Sequence, residues 1–186
     1  SLIGFTVLLQ MNFFAILVGV ASLLLVVIYP FTKRVTHWPQ FALGLTFNWG
    51  AFLGWAAVRG ELQLPAFILY VAGIFWTLGY DTIYAHQDKG DDLIVGVKSS
   101  ALKLRDKTRP WLFVFYTATV ILLAQTGYLA GLSWPFYLAL VFSAMQLFWQ
   151  AKRVDIDNPA DCLAKFKSNR LFCWILLTGI VLGQIF

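Results

Sequence analysis

Charge is scarce in this sequence of 186 residues, of which only 12% are Asp, Glu, Lys or Arg, whereas an average soluble domain has about 25%. Hydrophobic residues make up 60% of the chain, and the mean hydropathy is +0.74. The sequence therefore lacks the polar surface of a soluble protein and the basic soluble domain that would bind nucleic acid. Its two cysteines have no metal-ligand spacing, which indicates packing thiols. We predict an integral membrane protein with no nucleic-acid partner.

Long apolar runs, separated by short polar stretches, predict transmembrane helices, because about 20 apolar residues in a helix cross roughly 30 Å of hydrocarbon. No stretch alternates as a barrel strand would. The second segment is expected to close at Tyr29-Pro30, since a proline disfavours helix at the residue before it. The fold class is all-α, a multi-spanning helical bundle with segments at residues 1–10, 12–30, 40–58, 65–87, 110–130, 134–150 and 170–186.

The basic residues alternate between loops. All of the 14 Lys and Arg except Arg59 follow the second, fourth or sixth segment, and the acids share that side apart from Glu61. The positive-inside rule places these loops in the cytoplasm or its topological equivalent. We call this side of the bundle the basic face, and we expect any polar chemistry to take place there.

Acidic residues are few, and most of them lie together. No aspartate precedes Asp81, yet five of the nine carboxylates fall between residues 81 and 106. On a continuous helix Asp81, Asp88 and Asp92 share one face, because positions i+7 and i+11 lie only about 20° to either side of position i, whereas Asp91 points aside. Like charges in a row need a counter-charge. Mg²⁺ fits, since it typically combines one or two carboxylates with the oxygens of a substrate phosphate.

Two cations on the basic face fit the hypothesis of a metal site. Lys98 in GVKS and Arg34 in YPFTKR are able to hold phosphate or carboxylate oxygens. The alternative is that the acids belong to an ordinary solvated loop, with Gly90 breaking the helix. An EF-hand is excluded because its alternating Asp ligands and terminal Glu are missing.

Three stretches in order resemble a known family. YDTIYAHQDKGDD, residues 80–92 followed by GVKS, is similar to the second aspartate-rich motif of the UbiA-type intramembrane prenyltransferases. YPFTKRVTHWPQ (29–40) and FNWGAFLGW (47–55) are similar to segments that precede this motif in the branch that prenylates 4-hydroxybenzoate. The likeness covers nearly the whole chain.

The resemblance implies a bundle of nine transmembrane helices around a cavity that opens laterally to membrane lipid. It implies Mg²⁺-dependent transfer of a polyprenyl group from a polyprenyl diphosphate to 4-hydroxybenzoate, as in ubiquinone biosynthesis. Asp88 and Asp92 would bind Mg²⁺, with Asp81 as ligand or anchor and Asp91 as a weaker candidate. For the substrates, the resemblance implies diphosphate contacts by Lys98, contacts to diphosphate or to the acceptor carboxylate by Arg34 with Lys33, and cavity positions for Asn48 and Tyr84. Among aromatic residues near the basic face, Tyr80, Tyr84, Trp49 and Phe47 are candidates to stabilise an allylic cation.

The chain departs from the family pattern in one respect. The first motif, of the form NDxxDxxxD, does not occur in these 186 residues. We therefore expect residues 1–186 to be a single domain that corresponds to the C-terminal two thirds of the pattern, with six to seven of the nine helices. Because half of the metal site would be absent, this piece alone is expected to be inactive.

Other functions and compartments stay open at this point. Another branch of the family, making menaquinone, haem O, tocopherol or chlorophyll, is the nearest alternative. A transporter is a further alternative, because intramembrane acids often mark an ion path; residues 65–79, however, supply only Thr77 toward such a path. The expected location is a bacterial inner membrane, or alternatively a mitochondrial one, with the active face in the cytoplasm.

Overall fold

The computed structural model describes residues 2–90, 94, 96 and 98–186, and it describes the side chains of these residues except Lys33 and Arg34. Every regular element in these ranges is helical, which confirms the all-α class. A short 3₁₀ turn spans Arg105–Lys107. The helices are α1 (Leu2–Leu8), α2 (Phe13–Val35), α3 (Pro39–Phe47), α4 (Gly50–Arg59), α5 (Leu64–Gln87), α6 (Ser100–Leu104), α7 (Thr108–Leu129), α8 (Trp134–Arg153) and α9 (Pro159–Ile185).

Five stretches in the described ranges are long and apolar enough to cross a bilayer, which fits an integral membrane protein. They are Phe13–Thr32, Pro39–Arg59, Leu64–Gln87, Ser100–Leu129 and Pro159–Ile185. The outer surface carries many exposed leucines, valines and phenylalanines, such as Leu24 and Val27 on α2. A surface of this composition suits lipid and not water.

Helix α5 is the centre of the bundle, where it packs against α7, α9 and α3. Its glycines allow close approach of neighbouring helices: Gly73 lies against Asn48, and Gly79 lies against Tyr116. Small residues at helix contacts are typical of membrane bundles, in which packing replaces the hydrophobic drive. The apolar core is divided into two clusters, one between α5, α7, α8 and α9 and the other between α2, α4 and α5 with Phe115 of α7.

The prediction that the second helix closes at Tyr29-Pro30 is wrong. Helix α2 continues through Pro30 to Val35, so Lys33 and Arg34 lie in its last turn and not in a loop. A proline inside a transmembrane helix is tolerated because neighbouring groups satisfy the freed backbone. The Thr32 hydroxyl donates a hydrogen bond to the Tyr29 carbonyl at 2.6 Å beside it.

Two further boundaries differ from the prediction. The segment predicted at 40–58 consists of two helices, α3 and α4, which meet at Asn48 and Trp49. The last helix begins at Pro159 and not at 170, capped by the Asn158 side chain, which accepts from the backbone N–H groups of Ala160 and Asp161. Asn-Pro is a sequence signal for a helix start. Hydropathy placed the start of this helix too late, because the charged residues in the first turns of α9 lower the mean hydropathy there.

Candidate functional site

Asp81 and Asp88 lie at the basic end of α5, and both are half-buried. Asp81 is within the helix, and its charge acts on Tyr29 of α2 and on the neighbouring Tyr80. Helix α5 ends at Gln87, with Asp88 as its C-cap residue. The assumption of one continuous helix from Asp81 to residue 92 is therefore wrong, because the helix is interrupted at Asp88, although Lys89 and Gly90 are helical again. Asp91 and Asp92 lie outside the described residues.

The donors that this helix end presents suit a hard cation. In the part of the chain that the structure describes, no three His, Cys, Asp or Glu side chains gather as a closed metal site. Mg²⁺ does not need such a cage, since it usually keeps waters and takes one or two carboxylates together with phosphate oxygens. The carboxylates of Asp81 and Asp88 fit this mode of binding, in which the substrate completes the coordination.

Hydrogen bonds between α5, α6 and α7 hold the basic end of α5 in place. The Thr108 hydroxyl donates to the Arg105 carbonyl at 2.7 Å, so His86 Nε2 is left to donate to Thr108 Oγ1 at 2.9 Å. One turn away, the hydroxyls of Thr82 and Ser100 share a hydrogen bond of 2.8 Å. All these side chains except Arg105 are buried. The acidic helix end is thus tied to the 98–108 segment by bonds that water does not reach.

A basic pocket of about 430 Å³ lies beside this segment, lined by His37, Lys98, Leu102, Lys103 and Arg105. None of the described residues that line this pocket is a carboxylate. Lys98 Nζ donates to the Val35 carbonyl at 3.3 Å, and Lys103 Nζ lies 5.3 Å from the centre of the Trp38 ring. Positive charges held together in this way favour an anion. The side chains of Lys33 and Arg34, on the adjoining turn of α2, are outside the described part.

An apolar cavity of about 320 Å³ lies further from the basic face, between α4, α5, α7 and α9. Asn48, Gly73, Trp76, Leu123 and Phe172 are among its lining residues. The cavity offers room for hydrocarbon, because nearly all of its wall is aliphatic or aromatic. It begins at the depth of Trp76, two turns along α5 from the level of Tyr84.

Asn48, predicted as a substrate-binding residue, lines this cavity at the junction of α3 and α4. Its amide nitrogen donates to the Gly44 carbonyl and to Thr77 Oγ1, each at 2.8 Å. Its amide oxygen faces Gly73 so closely that a side chain at position 73 would collide with it. The orientation of this amide is therefore fixed by α3 and α5 together.

An aromatic wall joins the acidic end of α5 to the cavity. Tyr84 packs against Phe166 of α9 with ring centres 4.8 Å apart and the ring planes tilted, and Tyr80 lies 5.7 Å from the same ring. Trp76 continues the row, 4.8 Å from Tyr80 and 5.1 Å from Phe172. The sequence analysis missed Trp76. The i, i+4, i+8 spacing of Trp76, Tyr80 and Tyr84 was the signal that could have found it.

Of the two remaining aromatic candidates, Phe47 lines the cavity and Trp49 does not. The indole N–H of Trp49 donates to the Val18 carbonyl at 2.9 Å, and its ring packs edge-on against Phe52 and Tyr70. The candidate Trp49 therefore lies away from the cavity, because the turn between α3 and α4 directs it into the core shared with α2.

Comparison with known proteins identifies the family to which this fold belongs. The sequence model of the UbiA prenyltransferase family matches residues 1–176. The chain belongs to the UbiA prenyltransferase family, which confirms the resemblance noted in the sequence.

Curated relatives share about half of their residues with this chain. It is 53% identical to "4-hydroxybenzoate polyprenyltransferase, mitochondrial" of Caenorhabditis elegans, over 96% of this chain and 51% of that protein. Proteins of the same name are 50% identical in Arabidopsis thaliana, over 100% of this chain and 46% of that one, and 48% identical in Homo sapiens, over 96% and 48%. The chain spans about half the length of the curated relatives it matches.

Solved structures support the fold. A UbiA homologue from Aeropyrum pernix K1 in its apo form superposes with a TM-score of 0.78 at 22% identity, over 97% of this chain and 68% of that one. A structure that concerns the biosynthesis of digeranylgeranylglyceryl phosphate synthase in membranes superposes with a TM-score of 0.73 at 18% identity, over 98% of this chain and 65% of that one. At these identities the likeness concerns the fold alone.

Proposed function

We propose that the full-length protein transfers a polyprenyl group from a polyprenyl diphosphate to 4-hydroxybenzoate. The observation that carries the proposal is the course of α5, which presents Asp81 and Asp88 at the basic face and Trp76 at the apolar cavity. A substrate with a diphosphate head and an isoprenoid tail matches this order along one helix. The names of the curated relatives support 4-hydroxybenzoate as the acceptor.

The reaction exchanges one bond at the first carbon of the isoprenoid. The bond from this carbon to the diphosphate oxygen breaks, and the diphosphate leaves with the electron pair. A ring carbon of 4-hydroxybenzoate forms the new carbon–carbon bond, and the proton at that position then leaves the ring and passes to solvent. The protein has to hold a growing negative charge at one end of the substrate and protect an allylic cation from water at the other.

The carboxylates are proposed to provide the metal end of the site. Asp88 and Asp92 would bind Mg²⁺, with Asp81 as ligand or anchor and Asp91 as a weaker candidate. When bound, Mg²⁺ supplies positive charge that neutralises the departing diphosphate. The half-buried position of Asp81 and Asp88 supports this role, since a partly dehydrated carboxylate interacts more strongly with a cation than an exposed one does.

Cations at the basic face are proposed to hold the anionic ends of the substrates. Lys98 would contact the diphosphate, and Arg34 with Lys33 would contact the diphosphate or the acceptor carboxylate. Tyr84 and Asn48 would line the path of the isoprenoid, Tyr84 at the acidic end and Asn48 in the cavity. This face is proposed to be cytoplasmic. A bacterial inner membrane stays our prediction and a mitochondrial one its alternative, which the names of the curated relatives favour.

Replacing each aspartate by the neutral asparagine tests the proposal. In the full-length protein, Asp81→Asn, Asp88→Asn and Asp92→Asn should each lower Mg²⁺-dependent formation of prenylated 4-hydroxybenzoate by about 100-fold or more, because the metal contributes several kcal/mol of charge stabilisation. Glu61→Gln is the matched control, since Glu61 lies between α4 and α5 on the opposite face. Wild-type rates in all three variants, or turnover that persists in excess EDTA, would contradict the metal site.

A further inference from the structure

Trp76 stands where the aromatic wall meets the apolar cavity. Its ring packs against Phe172 of α9 and Tyr80 of its own helix, and it forms part of the cavity lining. In the proposed reaction, the reacting carbon lies between the acidic helix end and the cavity, at the level of this wall. The placement of the Trp76 ring therefore affects how well the cation is shielded from water.

A single hydrogen bond orients the Trp76 indole. Its N–H donates to Asn169 Oδ1 of α9 at 3.0 Å. Asn169 is only 7% exposed, and its amide nitrogen donates to the Phe166 carbonyl at 3.0 Å. Because the nitrogen is directed to the backbone of α9, the amide oxygen is turned toward the indole.

Behind Asn169 lies a polar network with no access to the cavity. Gln150 of α8 is fully buried; its amide oxygen accepts from the Tyr116 hydroxyl at 2.8 Å and lies 3.5 Å from the Asn169 amide nitrogen. Its amide nitrogen donates to Ser168 Oγ at 3.0 Å. Buried polar groups in a membrane protein are costly unless they are satisfied. Here α7, α8 and α9 together support one residue that contacts the cavity wall.

We propose that Asn169 is a positioning residue that acts through Trp76, and that it keeps the aromatic wall closed so that the allylic carbon reacts with the aromatic acceptor and not with water. The inference rests on the proposed function. If the indole turns away, a water oxygen forms the bond to the isoprenoid carbon as the diphosphate leaves with its electron pair, and the proton of the water passes to solvent. A free prenol is then released in place of the prenylated acceptor.

The ratio of prenol to prenylated 4-hydroxybenzoate measures this role. We would assay Asn169→Leu, Trp76→Phe and the double variant in the full-length protein with Mg²⁺, and separate the two products by chromatography. Asn169→Leu removes the acceptor of the indole bond, and Trp76→Phe removes its donor while keeping an aromatic ring. Each should raise the ratio between about fivefold and 100-fold, since small misplacements at a reacting centre have effects of this size. The double variant should match the single ones, because all three break the same contact.

Gln146→Leu is the matched control for a purely structural role. Gln146 is buried on α8 and donates to Ser168 in the same polar region, without contacting Trp76. It should leave the product ratio at the wild-type value even where the melting temperature falls.

Three outcomes would overturn the inference: a lower melting temperature of Asn169→Leu with an unchanged ratio, additive effects in the double variant, or an equal rise in Gln146→Leu. Should Asn169→Leu fail to fold, an unchanged ratio in Trp76→Phe overturns it as well. Failure of the proposed function looks different, because the wild-type protein would then form no prenylated 4-hydroxybenzoate.

Discussion

The ring of Tyr116 lies directly against the backbone of Gly79, in the space that any side chain at position 79 would occupy. Tyr116 is fully buried on α7, and its hydroxyl is held by Gln150 of α8. The close approach of α5 and α7 therefore depends on a residue without a side chain. Because α5 carries Asp81 two residues further on, this contact also fixes the depth of the candidate site.

Gly79→Ala should destabilise the protein. The added methyl group would collide with a ring that cannot move without breaking its hydrogen bond, and overpacking of this kind costs about 1–3 kcal/mol. Thermal unfolding in detergent measures the effect. Gly54→Ala is the matched control in α4, where an added methyl group meets nothing within 4 Å. It should be neutral or stabilise by about 0.5–1 kcal/mol, as Ala does relative to Gly within a helix. Equal effects of both variants would contradict the prediction.

Two ion pairs should differ in their contribution to stability. Lys165, nearly buried on α9, pairs with Asp161 at 2.7 Å and lies over the Trp149 ring. Asp161→Asn leaves this lysine without its counter-charge, so the free energy of unfolding should fall by about 1–2 kcal/mol. Asp157→Asn is the control: Asp157 is exposed and pairs with Lys89 at 3.4 Å. Its loss should change stability by less than about 1 kcal/mol. A larger effect at position 157 than at 161 would refute this view.

Thr77 should influence substrate binding through Asn48. The Thr77 hydroxyl fixes the amide of Asn48, which lines the cavity. Asn48→Ala and Thr77→Val should therefore both raise KM for the polyprenyl diphosphate, by about 3- to 10-fold. Thr126→Val is the control, because that hydroxyl only bonds within α7, to the Leu122 carbonyl. An unchanged KM in Asn48→Ala would show that Asn48 is not a substrate contact.

Arg34→Ala should raise KM for one of the two substrates in the full-length protein. If Arg34 holds the acceptor carboxylate, KM rises for 4-hydroxybenzoate and a phenolic acceptor without a carboxylate is unaffected. If it holds the diphosphate, KM for the polyprenyl diphosphate rises with either acceptor. Loss of one charge-assisted hydrogen bond predicts a change of about 10-fold or more. Arg59→Ala, on the opposite face, should leave both values unchanged, and the same result for Arg34→Ala would exclude its role.

The location of the apolar segments was predictable, because hydropathy is a local property of the chain. Each of the seven predicted segments coincides with helix in the structure, and Asp81 and Asp88 lie near the end of the helix that was predicted at residues 65–87. The boundaries were less predictable. The end of α2 was predicted at Pro30, but the helix continues through this proline. The junction between α3 and α4 at Asn48 and Trp49 contains no proline or charged residue, so hydropathy does not indicate it.

By itself, the sequence determined that the chain has membrane-spanning helices and an aspartate-rich motif, and it predicted that polar chemistry takes place on the face that carries this motif. Only the tertiary structure decided which of the many aromatic residues meet at the cavity. Trp76 and Asn169 are 93 positions apart and lie on different helices. Hydropathy treats all apolar side chains alike, whereas the close packing of α5 and α9 sets which of them touch. The wall, and the residue that holds it, therefore follow from packing and not from composition.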